Sequence, residues 1–214
     1  MHRRLLTLML SVITLLATGV PALAQSPTPE STPMAGLQEG ASRTYTLDPE
    51  GIPSENPQDF VIVTVHLFRF DTTDQASAAW QSVRDSAIAS IDPAAASGDA
   101  ATNIQEEDVS DLGDQAYTAW LSASPEEGVN GYYRLLYVQD GAWLYVLSAM
   151  SGSEEHTLTL PDIAQILTER ESGPGPVSLN PDGQSTGGIW DKFPPVGDDS
   201  LNDLIPFSDK PIAV

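Results

Sequence analysis

The sequence predicts an α+β fold in which a mostly antiparallel sheet of four to five strands packs with two helices and is followed by an acidic C-terminal tail. Three observations predict it: a run rich in Val, Ile and Phe from Phe60 to Phe70, a capped helical repeat directly after it, and two apolar segments joined by Asp140-Gly141. The chain has 214 residues and no cysteine. A single hydrophobic core, without disulfides, must therefore stabilise the fold.

The run from Phe60 to Phe70 predicts a central strand. It begins after Pro57, and its side chains are largely apolar on both faces of the pleat, which is typical of a strand that is covered on each side. His66 lies inside the run, and we interpret it as a core or sheet-face histidine rather than a catalytic one. We expect one strand before this segment, then a helix, three strands and a second helix.

The two helices have recognisable starting signals. Thr72 and Gln75 fit a capping box at the start of the first helix, and apolar residues recur behind them at helical spacing. Pro93 ends this pattern. Leu160-Pro161-Asp162 begins the second helix, because proline is favoured in the first helical turn.

The strongest turn signal is Asp140-Gly141, which lies between the alternating segments Gly131–Gln139 and Ala142–Met150. A two-residue loop at this dipeptide would pair Val138 with Trp143. A further strand is predicted at 115–123. Together these segments account for the three strands that follow the first helix.

One face of the hairpin combines aromatic, aliphatic and charged side chains and is the candidate ligand- or partner-binding surface. Aromatic side chains give a large contact area at a low cost in conformational entropy. A second possibility is that a helix or the tail covers this face, because large exposed apolar patches are uncommon on monomers. The candidate binding residues are Tyr132, Arg134, Trp143 and Tyr145 from the hairpin, with Trp190 and Phe193 from the tail.

Composition divides the chain into four regions. Residues 1–24 have a basic start, an apolar middle and a small-x-small end, the pattern of a signal peptide cleaved near Ala24. Residues 25–41 are a linker rich in Pro, Ser and Thr, residues 42–172 the α+β domain, and residues 173–214 an acidic Pro- and Gly-rich tail. Apolar residues in the tail predict a segment that docks on its own domain or on a partner. We expect a secreted, extracytoplasmic protein with no membrane anchor after cleavage.

The charge of the chain restricts its partners. The sequence has 9 basic and 30 acidic residues and a net charge of −21. Removal of the signal peptide takes away Arg3 and Arg4 and makes the charge −23. Such a field repels nucleic acids and anionic membranes. The partner we expect is a protein or a small neutral or cationic ligand in the cell envelope, bound by a monomer.

The sequence offers little support for catalysis. Ser-x-x-Lys is absent, and Gly183-Gln184-Ser185-Thr186-Gly187 matches the spacing Gly-x-Ser-x-Gly but lies in the turn-rich tail rather than between a predicted strand and a predicted helix. After cleavage only His66 and His156 remain, without metal-ligand spacing. We expect no cofactor and no metal, and we interpret the chain as a secreted, non-enzymatic binding module. The alternative is an extracellular hydrolase that uses acidic residues, with or without calcium, since Glu106-Glu107-Asp108 and the segment 198–203 are rich in oxygen ligands.

A short motif precedes one of the predicted strands: Val109-Ser110-Asp111-Leu112-Gly113-Asp114-Gln115-Ala116 leads into it, and the Asp140-Gly141 hairpin follows with Val146 in its second arm. Over residues 58–170 this arrangement resembles uncharacterised exported bacterial domains, some of which are sensor or ligand-binding modules of the cell envelope. The resemblance implies helices packed on an antiparallel sheet and transfers no catalytic residue. The chain lacks the lipid-attachment cysteine of the lipoprotein members.

Overall fold

A computed structural model of the chain describes residues 34–46, 61–91, 104–126, 129–173, 178–179, 185–195, 198–202 and 204. The chain divides into Met1–Ala35 and Gly36–Val214, and every element below belongs to the second part. The predicted signal peptide and most of the predicted linker lie outside the described residues. The strands are β1 Leu37–Thr46, β2 Val61–Phe70, β3 Gln105–Val109, β4 Gln115–Glu126, β5 Val129–Asp140, β6 Trp143–Ser151, β7 Ser178–Leu179 and β8 Ser185–Thr186. The helices are α1 Thr73–Ile91, α2 Glu154–Thr157, α3 Leu160–Glu169, a 3-10 helix Gly188–Lys192, and α4 Asp199–Asn202.

The first six strands form one antiparallel sheet in the order β1-β2-β6-β5-β4-β3. The α+β class and the antiparallel arrangement are confirmed, whereas the predicted count of four to five strands is wrong because the sheet has six. The strand without a sequence signal is β3, whose sequence QEEDV has no apolar alternation. It lies at the edge of the sheet, where charged side chains discourage pairing with another chain.

The strand β2 lies inside the sheet between β1 and β6, as the run from Phe60 to Phe70 predicts. Its neighbour β1 begins at Leu37, inside the residues assigned to the linker. The first four residues of β1 are exposed, and its buried side chains are Ala41 and Tyr45. An edge strand with so few buried positions resembles a polar linker in sequence, so its start was not recognisable.

Different parts of the chain cover the two faces of the sheet. One face, here called the tail face, is covered by α3 and by C-terminal residues, of which Ile189, Phe193 and Leu201 belong to the same core. The opposite face, here called the α1 face, is covered by α1, and the Nε1–H of its buried Trp80 donates to the carbonyl of Tyr137 at 3.3 Å. Strand side chains in the tail-face core are Ala41, Tyr45, Val61, Val63, Val65, Leu67, Ala116, Leu136, Val138, Tyr145, Leu147 and Ala149.

Both long helices begin where the sequence predicts. The backbone N–H of Gln75 donates to Thr72 Oγ1 at 3.3 Å, which caps α1. The reciprocal half of the capping box is not formed, because Gln75 Oε1 is buried and accepts no hydrogen bond from any described residue. The second long helix, α3, has Pro161 in its first turn. No helix among the described residues has the length and apolarity needed to cross a bilayer.

The register of the β5–β6 hairpin differs from the predicted one by two residues. Val138 pairs with Tyr145 instead of Trp143, so the loop consists of Gly141 and Ala142. Gly141 has a φ of 55°, which is the left-handed conformation that a type II′ turn requires at its first loop position. Because the pairing moves by two residues and the side chains of a strand alternate with period two, every side chain stays on its predicted face.

Candidate functional site

A cation lies over the ring of each of the four tryptophans in the chain. Cation–π contacts are most favourable on tryptophan. In this strongly acidic chain, they place four of the few basic side chains against aromatic rings of the same chain. The distances to the ring centroid are 5.4 Å for Arg84 over Trp80, 4.4 Å for Arg134 over Trp120, 4.9 Å for Lys192 over Trp143 and 6.0 Å for Arg43 over Trp190. Three of these pairs, those of Trp120, Trp143 and Trp190, belong to the tail face or to the residues that cover it.

At the hairpin end of the tail face, Lys192 is buried with all its hydrogen-bonding capacity used. It is 4% exposed. Its Nζ donates to Tyr145 Oη at 2.9 Å and to the carbonyls of Leu167 and Arg170 at 3.1 and 2.6 Å. These carbonyls lie at the C-terminal end of α3, where the helix dipole favours a positive charge. Burial lowers the pKa of Lys192 and the negative charge of Asp140 opposes that shift.

The C-terminal residues around Pro194 are held by hydrogen bonds as well as by apolar contacts. The carbonyl of Pro194 accepts hydrogen bonds from Arg43 Nη1 at 3.1 Å and from Tyr45 Oη at 3.0 Å. Arg170 pairs with Asp198 at 3.4 Å. The described part of the tail therefore packs on the chain's own sheet, which is one of the two alternatives that the sequence leaves open.

Four of the six candidate binding residues belong to this packing. The rings of Trp143 and Tyr145 lie 6.4 Å apart beneath Lys192, and those of Trp190 and Phe193 lie 5.4 Å apart beneath Arg43. Tyr145 is 0% and Phe193 2% exposed, so neither side chain is available to a ligand while the segment is packed. Lys192 Nζ lies 4.9 Å from the centroid of the Trp143 ring.

The other two candidates, Tyr132 and Arg134, lie at the opposite end of β5. Arg134 pairs with Trp120 of β4 and Ala149 of β6, so its side chain points to the tail face. It is only 8% exposed, and its guanidinium carbon lies 4.4 Å from the Trp120 ring centroid. Its Nε is buried without a hydrogen-bond partner, and no described carboxylate lies within 4.0 Å of its guanidinium. We call this pair the Arg134–Trp120 site.

The surroundings of this site are polar. Burial lowers the pKa of Arg134, and the negative charges of Glu154 and Glu107 oppose that shift. Glu107 points to the tail face from β3, Glu154 begins α2, and both side chains are exposed. Tyr132 is the next residue of β5 on the tail face and pairs with Ser151. The site therefore has a buried positive charge at its base and negative charges around it.

A serine–histidine contact lies nearby: Ser151 Oγ is 3.1 Å from His156 Nδ1. Such a pair suits nucleophilic catalysis only if the hydroxyl can reach a substrate. Ser151 is 0% exposed, and its Oγ also accepts the backbone N–H of Ser153 at 3.0 Å. This burial favours a structural role, in which the pair orders the turn between β6 and α2.

The acidic stretch considered for calcium is divided between the two faces of β3. Tyr117 Oη donates to Glu106, and Asp108 pairs with Arg84 at 3.0 Å, both on the α1 face, while Glu107 points to the tail face. No three His, Asp or Glu side chains converge like metal ligands in the described part of the chain. The second acidic stretch is described only in part, and Asp198 in it pairs with Arg170.

Sequence reasoning missed Trp120 and Lys192, the two residues that define the difference between the ends of the tail face. Trp120 faces Arg134 only through the β4–β5 register, which no turn signal between the strands fixes closely enough. A signal for Lys192 was present, since it is one of only two lysines in the chain and stands between aromatic residues in Trp190-Asp191-Lys192-Phe193.

No family model, no curated protein and no solved structure was found to match this chain. Its function must therefore be inferred from the residues of the site. Among the described residues, three buried side-chain atoms have no hydrogen-bond partner, and Arg134 Nε is the one that belongs to a cation.

Proposed function

We propose that the chain is a secreted, non-enzymatic binding module that holds a small ligand at the Arg134–Trp120 site through a carboxylate of the ligand. Three observations on Arg134 support this proposal: the residue is 8% exposed, its Nε is buried without a hydrogen-bond partner, and no described carboxylate pairs with its guanidinium. The guanidinium presents five N–H donors in a planar fork that matches a carboxylate.

The energetic argument concerns what a buried charge needs. Moving a charged group out of water costs several kcal/mol unless hydrogen bonds and an opposite charge compensate. A ring such as that of Trp120 offsets only part of this cost, about 0.5–2 kcal/mol. A bound carboxylate would supply both the acceptors and the charge, so the free protein is poised to gain from binding one.

The Trp120 and Tyr132 side chains offer the ligand an apolar surface beside the charge. Both are partly exposed, unlike Tyr145 and Phe193. Small-ligand sites commonly combine such apolar walls with one charged group that fixes orientation. The predicted secretion would place the site in contact with solutes outside the cytoplasm.

Calorimetric titration of the purified chain with N-acetylphenylalanine and benzoate tests this proposal. We expect binding that Arg134→Gln weakens by at least about tenfold, since a charge-assisted hydrogen bond contributes about 1.5–3 kcal/mol and about 1.4 kcal/mol is a factor of ten. Arg84→Gln is the matched control, because Arg84 also lies over a tryptophan but is paired with Asp108 at 3.0 Å. Equal binding by the parent and Arg134→Gln would reject the site.

A further inference from the structure

We infer that the ligand of the Arg134–Trp120 site is a zwitterion, whose carboxylate binds Arg134 and whose ammonium group lies between Glu107 and Glu154. This inference rests on the proposed carboxylate-binding function and specifies the chemical class of the ligand. A free amino acid, or the end of a short peptide folded back on itself, has the required pair of charges.

The position of the two carboxylates relative to Arg134 is the first reason. Glu107 lies on β3 and pairs with Thr118, so its side chain points to the tail face on the β4 side of Arg134. Glu154 begins α2, which contacts β5 and β6. Acidic side chains from two different elements thus act on one guanidinium.

The second reason for a zwitterionic ligand is that Arg134 forms no ion pair with a described residue. Neither Glu107 nor Glu154 comes within 4.0 Å of the Arg134 guanidinium, although both act on its charge. Two exposed carboxylates beside one buried guanidinium leave the site with more negative than positive charge. A simple anion that binds Arg134 would be repelled by these carboxylates, whereas an ammonium group on the same ligand would be attracted by them.

The charge of the whole chain is the third reason. With a net charge of −21, the long-range field repels anions from the surface. A zwitterion carries no net charge, so it approaches without this penalty and still presents a carboxylate to Arg134. A purely cationic ligand would approach readily but would leave the buried guanidinium unpaired.

A set of matched probes separates these possibilities in calorimetric titrations at about 0.15 M salt, where long-range fields are screened beyond about 8 Å. Phenylalanine carries both charges, N-acetylphenylalanine only the carboxylate, and phenylalaninamide only the ammonium group; glycine and N-acetylglycine repeat the comparison without a side chain. We expect the free amino acid of at least one pair to bind about tenfold or more tightly than its acetylated form, and the amide to bind weakly.

Variants test which side chains of the protein bind each of the two charges of the ligand. Glu107→Gln with Glu154→Gln should remove the preference for the free amino acid over its acetylated form, while Arg134→Gln and the milder Arg134→Lys should weaken both. The control is Asp108→Asn with Glu155→Gln. These residues adjoin Glu107 and Glu154 in sequence, but Asp108 points to the α1 face, and Glu155 is the next residue of α2, where the helix turns its side chain by about 100° from that of Glu154.

The outcomes distinguish this inference from the function on which it rests. Equal affinity for the free and acetylated forms, with both dependent on Arg134, would overturn the zwitterion and keep the carboxylate site. A preference that survives the double glutamine variant would overturn the role of the two glutamates. Binding of no probe in an Arg134-dependent way would overturn both the inference and the proposed function.

Discussion

The tail face contains two buried cations in very different surroundings. Lys192 is 4% and Arg134 is 8% exposed, and they lie 4.9 and 4.4 Å from the ring centroids of Trp143 and Trp120. The ammonium group of Lys192 donates to three oxygen atoms, whereas the guanidinium of Arg134 donates to none in the described residues. Roughly 20 Å of β5, at about 3.3 Å per residue, separates the two ends.

This difference gives one end of the sheet a stabilising role and, in our proposal, the other end a role in ligand binding. At the Lys192 end, the hydrogen bonds offset the cost of burying the charge, so the cation joins the C-terminal residues to α3 and the sheet. At the Arg134 end the same cost is not offset, because Trp120 supplies no oxygen acceptor. A fold that keeps such a residue with its burial cost only partly offset gains something else from it, and ligand binding is the gain that we propose.

The largest effect is expected from Phe193→Ala at the Lys192 end. Phe193 is 2% exposed in the tail-face core, and removal of a buried aromatic ring costs about 3–5 kcal/mol. Urea unfolding should show this loss with an unchanged slope. Leu158→Ala is the control, because Leu158 is 53% exposed and its truncation should change the free energy of unfolding by less than about 0.5 kcal/mol. Equal effects would mean that the C-terminal residues do not pack as described.

The second largest effect is expected from Lys192→Met. The change leaves the Tyr145 hydroxyl and the carbonyls of Leu167 and Arg170 without their donor, at an expected cost of about 2–4 kcal/mol in unfolding free energy. Arg69→Met is the control. Arg69 lies 5.9 Å from the same Trp143 ring, but its side chain is 48% exposed and its pair with Glu39 is 3.8 Å long, so a loss below about 1 kcal/mol is expected.

Local patterns account for most of the fold that the sequence could predict. The apolar run of β2, the Thr72 cap of α1 and the Pro161 start of α3 are each encoded within a few residues, and each is present in the structure. The edge strand β3 could not be predicted, because its pairing with β4 supplies the hydrogen bonds while its own side chains bury almost nothing. The hairpin register shifted because Gly141 is the first loop position rather than the second.

For the site, the sequence predicts only the face of the sheet on which its residues lie. The alternation of side chains along the strands placed Arg134, Trp143 and Tyr145 on one face of the hairpin, and the register shift of two residues left them on that face. It could not show that one end of the face is packed and the other is not, since this depends on contacts with Lys192 and Trp120, 58 and 14 residues from Arg134 in sequence. Those contacts arise from the order of strands and the path of the C-terminal residues, which no local pattern encodes.

A smaller effect is expected from His66 on the α1 face, where protonation would create a positive charge on a partly buried ring. Burial lowers the pKa of His66 below its ordinary value of 6.5, and its register partners Ser42 and Val146 carry no charge. The unfolded chain therefore takes up the proton first as the pH falls through 6.5, and the free energy of unfolding decreases until the folded pKa is passed. Urea unfolding of the parent and of His66→Gln from pH 7.5 to 5 measures this loss. As the pH falls, the free energy of unfolding of the parent should decrease relative to that of His66→Gln. If the parent instead became more stable relative to His66→Gln as the pH falls, the expected direction of the effect would be contradicted.

The smallest effect on stability, and the sharpest test of the comparison, is expected from Arg134→Met. Methionine keeps an unbranched, flexible side chain whose sulfur can contact the Trp120 ring, and it removes a buried charge that has no oxygen acceptor, a change that is often neutral or stabilising. The free energy of unfolding should stay within about 1 kcal/mol of the parent or rise, in contrast to the loss expected for Lys192→Met. Binding of the carboxylate probes should disappear in the same variant.

A loss of about 3 kcal/mol in the free energy of unfolding of Arg134→Met would instead mean that Glu107 or Glu154 pairs with Arg134 in the free protein, because removal of one partner from a buried ion pair costs about that much. In that case both ends of the tail face would be structural, and the recognition role of Arg134 would have to be abandoned.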